Sequence, residues 1–143
     1  MRSYLVVANK TLCSAELLAA VRRSQISGPC RFHFLVPASH PQRTLTWTEG
    51  ADAAAARRRL DHALGRIGEL GVRVTGEIGD AQPLQAIDDA LRRQSFDEII
   101  LSTLAPGVSR WLHQDLPRRV QRAFRLPVIH VATRVRAFDQ IGA

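Results

Sequence analysis

Tyr4-Leu5-Val6-Val7-Ala8 is an apolar run with no polar alternation. A strand with one wet face alternates apolar and polar residues, whereas an unbroken run suits a strand buried on both faces. The run therefore predicts a central strand in a parallel sheet with helices on both sides.

Working outward, strand-like and helix-like segments alternate. Ser14 is a candidate N-cap, Leu17, Leu18 and Val21 follow at helical spacing, and Arg22 and Arg23 suit a helix C-terminus. Gly28-Pro29 breaks the chain, and Arg31 to Val36, closed by Pro37, reads as a second strand. The polar stretch from Ala38 to Glu49, with Trp47 as an anchor, is too long for a tight connection and reads as a mobile loop. A long helix is expected from about Gly50 to Leu70, with Ala53, Ala56, Leu60, Ala63, Leu64 and Ile67 as its apolar stripe. Arg57, Arg58 and Arg59 read as a solvated patch on that helix, and Gly71 as its C′ residue.

Val72, Val74 and Gly76 alternate with Arg73, Thr75 and Glu77, the pattern of an edge strand. Gly79-Asp80-Ala81-Gln82-Pro83 turns into a helix with Leu84, Ile87, Ala90 and Leu91 on its apolar face and Asp80 as its expected cap. Glu98 to Thr103 is the fourth strand, and Ala105 to Ser109 a turn. A short turn over 109–114 is followed by a helix from Asp115 or Leu116, capped by Asp115, with Pro117 in its first turn. Leu116, Val120 and Phe124 line its buried side. Pro127 to Ala132 is the fifth strand, and the chain from Thr133 is expected to fray.

The alternation implies an α/β fold: a doubly wound, Rossmann-like, five-stranded parallel sheet with helices on both faces. Its expected extent is one domain over 1–133 with a tail over 134–143. Ligands of such sheets bind beyond the carboxyl ends of the strands, where strand order reverses. The regions to inspect are therefore Asn9–Cys13, Val36–Pro37 and Ser102–Ser109.

Composition narrows the function classes. The chain has 143 residues, 45% of them hydrophobic and 23% charged, with a formal charge of +7. Those proportions fit one folded domain and exclude collagen, long disorder and a disulfide-stapled miniature. No stretch approaches a membrane span, the start does not resemble a signal peptide, and the two cysteines, Cys13 and Cys30, suit free thiols in the cytoplasm. Lys10 is the sole lysine, so Arg abundance alone does not indicate nucleic-acid binding. Between Ile99 and the end, seven Arg face two Asp, +5 of the total charge. A solvated helix face is the favoured reading of Arg118, Arg119, Arg122 and Arg125, since no aromatic residues are interleaved and no nucleic-acid motif is present.

His33, His40, His62, His113 and His130 lack metal-ligand spacing. His33 and His130 fall in strands as structural residues, and His113 alone lies beside the expected crevice. Ser102, Ser109 and His113 lack a Gly-x-Ser-x-Gly elbow, so nucleophilic catalysis is not expected. Cys13 reads as a small packed residue.

Four pieces of the chain resemble the universal stress protein domains of the adenine nucleotide α-hydrolase-like superfamily. They are Tyr4–Ala8, the Gly79-Asp80-Ala81 turn, Glu98–Leu101, and Leu126-Pro127-Val128-Ile129-His130-Val131, preceded by Arg119-Val120. The resemblance spans about residues 3–132. It implies strand order 3-2-1-4-5, frequent homodimers, and an adenine pocket built on backbone groups near the ends of the first two strands. ATP-binding members carry Gly, two residues, Gly, nine residues, Gly and Ser or Thr after the fourth strand. Here Ser102 and Ala105 stand at the first two glycines, Gln114-Asp115 or Asp115-Leu116 stands at the Gly-Ser position, and Gly107 alone remains. Asn9 replaces the acid that usually contacts the nucleotide.

Two readings follow: ATP binding is lost, which is favoured for ATP itself, or Ser102, Thr103, Ser109 and Arg110 compensate. AMP or another small adenine nucleotide remains compatible with either. The expected site comprises Ala8, Asn9, Lys10, Val36, Pro37, Ser102, Thr103, Gly107, Ser109 and Arg110. Lys10 and Arg110 would face phosphate, the three hydroxyls would donate hydrogen bonds, and backbone at Ala8 and Val36 would read a base edge. The expected function is non-catalytic binding of an adenine-type nucleotide or a protein partner in stress or regulatory signalling, by a cytoplasmic homodimer. The alternatives are an interaction protein that binds no ATP, or a basic nucleic-acid module using the last helix.

Overall fold

The computed structural model describes residues 1–38, 46–104 and 115–134, with side chains from 54 onward in the second segment. In chain order these form β1 (Arg2–Val7), α1 (Ala15–Ile26), β2 (Cys30–Pro37), α2 (Thr46–Gly68), β3 (Arg73–Gly79), α3 (Pro83–Arg93), β4 (Glu98–Leu104), α4 (Leu116–Phe124) and β5 (Val128–Thr133). The strands make one sheet of order β3-β2-β1-β4-β5, every pairing parallel. This is the doubly wound order expected.

β1 explains the apolar run at the start of the chain. It is flanked by β2 and β4, and its side chains alternate between two cores. Tyr4, Val6 and Ala8 join Phe32, Phe34, Val36 and Ile100 under Leu17 and Val21 of α1 and Ala56, Leu60, Ala63 and Ile67 of α2. Leu5 and Val7 join Leu35, Ile99 and Leu101 under Ala86, Ile87 and Ala90 of α3 and Leu116 and Val120 of α4. Each fully buried Leu, Ile or Val contributes about 1.5–3 kcal/mol from water exclusion. A polar residue within Leu5–Val7 would thus damage one core or the other. β3 lies at the sheet edge, as its alternation predicts.

Helix ends show where local reading succeeds and fails. Ser14 caps α1, its Oγ accepting the Leu17 N–H at 3.1 Å. Asp80 does not cap α3: Gln82 holds the cap position, and Asp80 Oδ1 accepts the Gln82 N–H at 2.8 Å, closing an Asx-type turn that starts two residues before the cap. Asp115 precedes α4 but makes no side-chain cap bond. Its φ of 53° and ψ of 42° are left-handed, whereas a capping side chain works from an extended backbone.

α2 begins at Thr46, four residues before Gly50, and places Trp47 in its first turn. A single internal glycine costs a helix only about 1 kcal/mol, so the helix runs through it. Gly71 takes the left-handed conformation expected of it, φ 82°, and donates to Gly68 O at 3.0 Å. Thr133 is not frayed: it completes β5, and its hydroxyl donates to Ser14 Oγ at 3.0 Å. The expected turns over 105–114 and the tail beyond 134 lie outside the described residues.

Candidate ligand site at the carboxyl ends of the strands

After β1 the chain leaves toward α1 on one face of the sheet, and after β4 it leaves toward α4 on the other. The strand order therefore reverses between β1 and β4, and the divergence opens a crevice at their carboxyl ends. Ala8, Asn9 and Lys10 follow β1, Val36 and Pro37 end β2, and Ser102 and Thr103 lie near the end of β4. These seven expected site residues come together along three adjacent strands. Gly107, Ser109, Arg110 and His113 lie outside the described residues.

Ala8 is wholly buried, and its N–H donates to Leu35 O at 3.2 Å. Asn9 is held from two sides. Its Nδ2 donates to Pro37 O at 2.9 Å, and its Oδ1 accepts from Arg59 Nη2 at 2.7 Å. Only an amide satisfies both partners, because a carboxylate has no proton for the Pro37 carbonyl. Arg59 is thus no part of a solvated patch; it is half-buried and reaches from α2 to the end of β1. Arg57, by contrast, is exposed and makes an i,i+4 ion pair with Asp61 at 3.6 Å.

The β4 side is closed by hydroxyls. Ser102 Oγ and Thr11 Oγ1 lie 2.5 Å apart, both buried, and link the β1–α1 loop to β4 across the reversal point. Thr103, pointing to the opposite face, shares a 2.8 Å hydrogen bond with His130 Nε2. A ligand that uses either expected hydroxyl must share or displace one of these bonds. Lys10 is exposed at the turn.

Sequence reasoning missed Arg59 and placed Thr11 only within the wider stretch Asn9–Cys13. A signal existed for Arg59: it stands three residues after Ala56 and four before Ala63, flanking the apolar stripe. Thr11 carries no comparable mark.

Several other titratable groups among the described residues are held by neighbours in the fold. His33 is buried, with Nδ1 2.7 Å from Thr75 Oγ1 and Nε2 2.6 Å from Glu77 Oε2. Glu77 also pairs with Arg93. Burial pushes the Glu77 carboxyl up, but the hydrogen bonds and charges of His33 and Arg93 outweigh it and hold the group below its ordinary value. Desolvation lowers His130. Cys13 and Cys30 are free thiols, both pushed up by burial, against which Arg66 acts on Cys13. Neither is therefore poised as a thiolate nucleophile. Among the described residues, no three His, Cys, Asp or Glu groups converge as metal ligands, and no helix is long and apolar enough to cross a membrane. An open depression of about 250 Å³ lies elsewhere, between α4 and β5, lined by Asp115, Pro117, Arg118, Gln121, Val128 and His130.

No protein-family model matches the chain. No curated protein matches it either. Solved structures do. A protein of the universal stress protein family from Burkholderia pseudomallei superposes with a TM-score of 0.61 at 18% identity, covering 90% of this chain and 94% of its own. The universal stress protein from Archaeoglobus fulgidus gives a TM-score of 0.60 at 18% identity, covering 92% of this chain and 93% of that one. The Archaeoglobus protein in complex with dAMP also gives 0.60 at 18% identity, covering 92% and 98%. With its strand order and helix placement, the chain has the universal-stress-protein-like fold.

Proposed function

We propose that this protein binds a small adenine-type nucleotide, without turnover, at the carboxyl ends of β1, β2 and β4, and acts in stress or regulatory signalling in the cytoplasm. The observation that carries this reading is the convergence of Ala8, Asn9, Val36, Pro37, Ser102 and Thr103 at the strand-order reversal. It is supported by the dAMP complex of a protein with the same fold. In this reading Ala8 and Val36 offer backbone groups to the base edge, Lys10 offers charge to phosphate, and Gly107, Ser109 and Arg110 complete the site. The proposed folded unit is 1–133, and two free thiols suit a reducing compartment.

Isothermal titration with ATP, AMP and cyclic AMP at physiological salt tests this reading. A dissociation constant on the order of micromolar or tighter for one of them is expected, weakened by Arg110→Ala. Absence of heat with all three would leave a protein-partner role.

We propose, in addition, a homodimer formed through β5. β5 is the outer strand of the sheet, and Ile129 is 36% exposed on it. An edge strand with an exposed apolar residue is a ready surface for a second copy.

A further inference from the structure

We propose that the outer face of α4 binds duplex nucleic acid through its phosphate backbone, independently of sequence, using Arg118, Arg122 and Arg125. The residues alone show that arginines are abundant here; the structure shows that these three are unpaired. All three are exposed. Arg118 and Arg122 stand one helical turn apart, each two residues beyond a buried side chain, Leu116 or Val120, and so on the face turned away from the core. Arg125 follows at the C-cap. None of the three makes a hydrogen bond or ion pair among the described residues.

The neighbouring helices are built differently. Arg57 on α2 pairs with Asp61, and on α3 Arg92 pairs with Asp88 while Arg93 reaches Glu77. α4 contains no acid at all. The two acids of α3 are already engaged, Asp88 by Arg92 and Asp89 by Gln85. Arg118 lies in the first turn of α4, where the helix dipole already presents positive charge and an anion would be stabilising. Arg118 and Arg122, four residues apart, also repel each other. A polyanion on this face relieves both penalties.

The chemistry of the face selects the polyanion. Arg offers paired, planar N–H donors that match phosphate oxygens. From Arg118 to Arg125 the chain rises about 10 Å, and a duplex carries one charge per about 1.7 Å of its axis, so the row meets several phosphates. Single strands bind largely by stacking bases on aromatic side chains. α4 exposes none, since its one aromatic residue, Phe124, is half-buried. A duplex keeps its bases stacked inside and needs only phosphate contacts, which carry no sequence information. The formal charge of +7 adds attraction at longer range.

The experiment is fluorescence anisotropy of a labelled, mixed-sequence DNA duplex titrated with the full chain at several salt concentrations. Its single strand and a polyglutamate peptide serve as competing probes. The duplex is expected to bind at low salt, more tightly than either. Arg118→Gln, Arg122→Gln and Arg125→Gln together should weaken it about tenfold or more, and should reduce the slope of log K against log salt by about two to three. Arg57→Gln, a change to an exposed but paired arginine on α2, should leave both unchanged. Circular dichroism reports folding; should the triple variant unfold, Arg118→Gln with Arg122→Gln decides, with a slope reduced by about two. No duplex binding at low salt overturns the proposal, as does a slope that the substitutions leave intact. A single strand bound as tightly as the duplex overturns it, and so does polyglutamate, which would mark the face for an acidic protein. None of these outcomes bears on the nucleotide reading of the crevice.

Discussion

Thr11 Oγ1 and Ser102 Oγ lie 2.5 Å apart, both buried, one in the loop after β1 and the other in β4. This bond spans the point where the sheet reverses its winding, so it ties together the two elements whose divergence makes the crevice. Ser102→Ala leaves the Thr11 hydroxyl buried without that partner and should cost about 1–3 kcal/mol in urea unfolding. Thr11→Val in the same chain should recover part of that loss, because removing both partners costs less than stranding one. A double-mutant cycle reads the difference; strict additivity would show that the bond is not a stabilising link.

Gly79 is required by packing rather than by backbone angle. A Cβ there would stand 2.8 Å from Leu35 Cδ1 and 3.1 Å from Ala86 Cβ, where β3 meets α3. Gly79→Ala should destabilise by about 1–3 kcal/mol. Gly65, inside α2, has nothing within 4 Å of its virtual Cβ. Gly65→Ala should therefore stabilise by about 0.5–1 kcal/mol. Thermal melts of the two variants should move in opposite directions.

The pattern of what the residues foretold follows from the range of the forces involved. Tyr4–Ala8 announces a doubly covered strand because burial on two faces removes polar alternation, and the alternation over Val72–Glu77 announces an edge by the same logic. Ser14 is legible as a cap because its bond is three residues long. Asp80 and Asp115 have the right residue type, yet capping needs an extended backbone and correct spacing, which composition does not encode. Asn9, Val36 and Ser102 were legible as neighbours because strand ends in this topology converge. Arg59 was not distinguished from Arg57 and Arg58, because their difference lies in where α2 packs over β2 and β3. The His33–Thr75–Glu77 cluster depends on the β2–β3 register, which pairs His33 with Thr75 and Leu35 with Glu77.

Glu77 makes acid stability predictable in sign. Its folded carboxyl titrates below the ordinary 4.5, held there, despite the burial that raises it, by hydrogen bonds from His33 and Arg93. A depressed carboxyl contributes stability that is complete above the unfolded value and is lost as pH falls through the folded one. Glu77→Gln should therefore be less stable than the wild type at pH about 7. The two should converge as pH falls below about 4.5 in urea titrations. A gap that stays constant over that window would show that the ion pairs do not set it.

The proposed dimer places Ile129, 36% exposed on the outer strand, at its centre. Ile129→Lys puts a charge on that edge, a device that blocks strand-to-strand association. Sedimentation should show a dimer for the wild type and a monomer for the variant. A monomeric wild type at high micromolar concentration would refute the assembly.

The central claim is that a nucleotide sits at the carboxyl ends of β1, β2 and β4. Nitrogen-15 NMR during titration with AMP tests it most directly, reading backbone amides and the Asn9 side-chain amide together. The largest shifts should fall on Ala8, Asn9, Lys10, Val36, Ser102 and Thr103, with the Asn9 Nδ2 signal moving as its bonds to Pro37 and Arg59 readjust. Shifts confined to the α4–β5 depression around Gln121 and His130, or no shifts at saturating AMP, would contradict it.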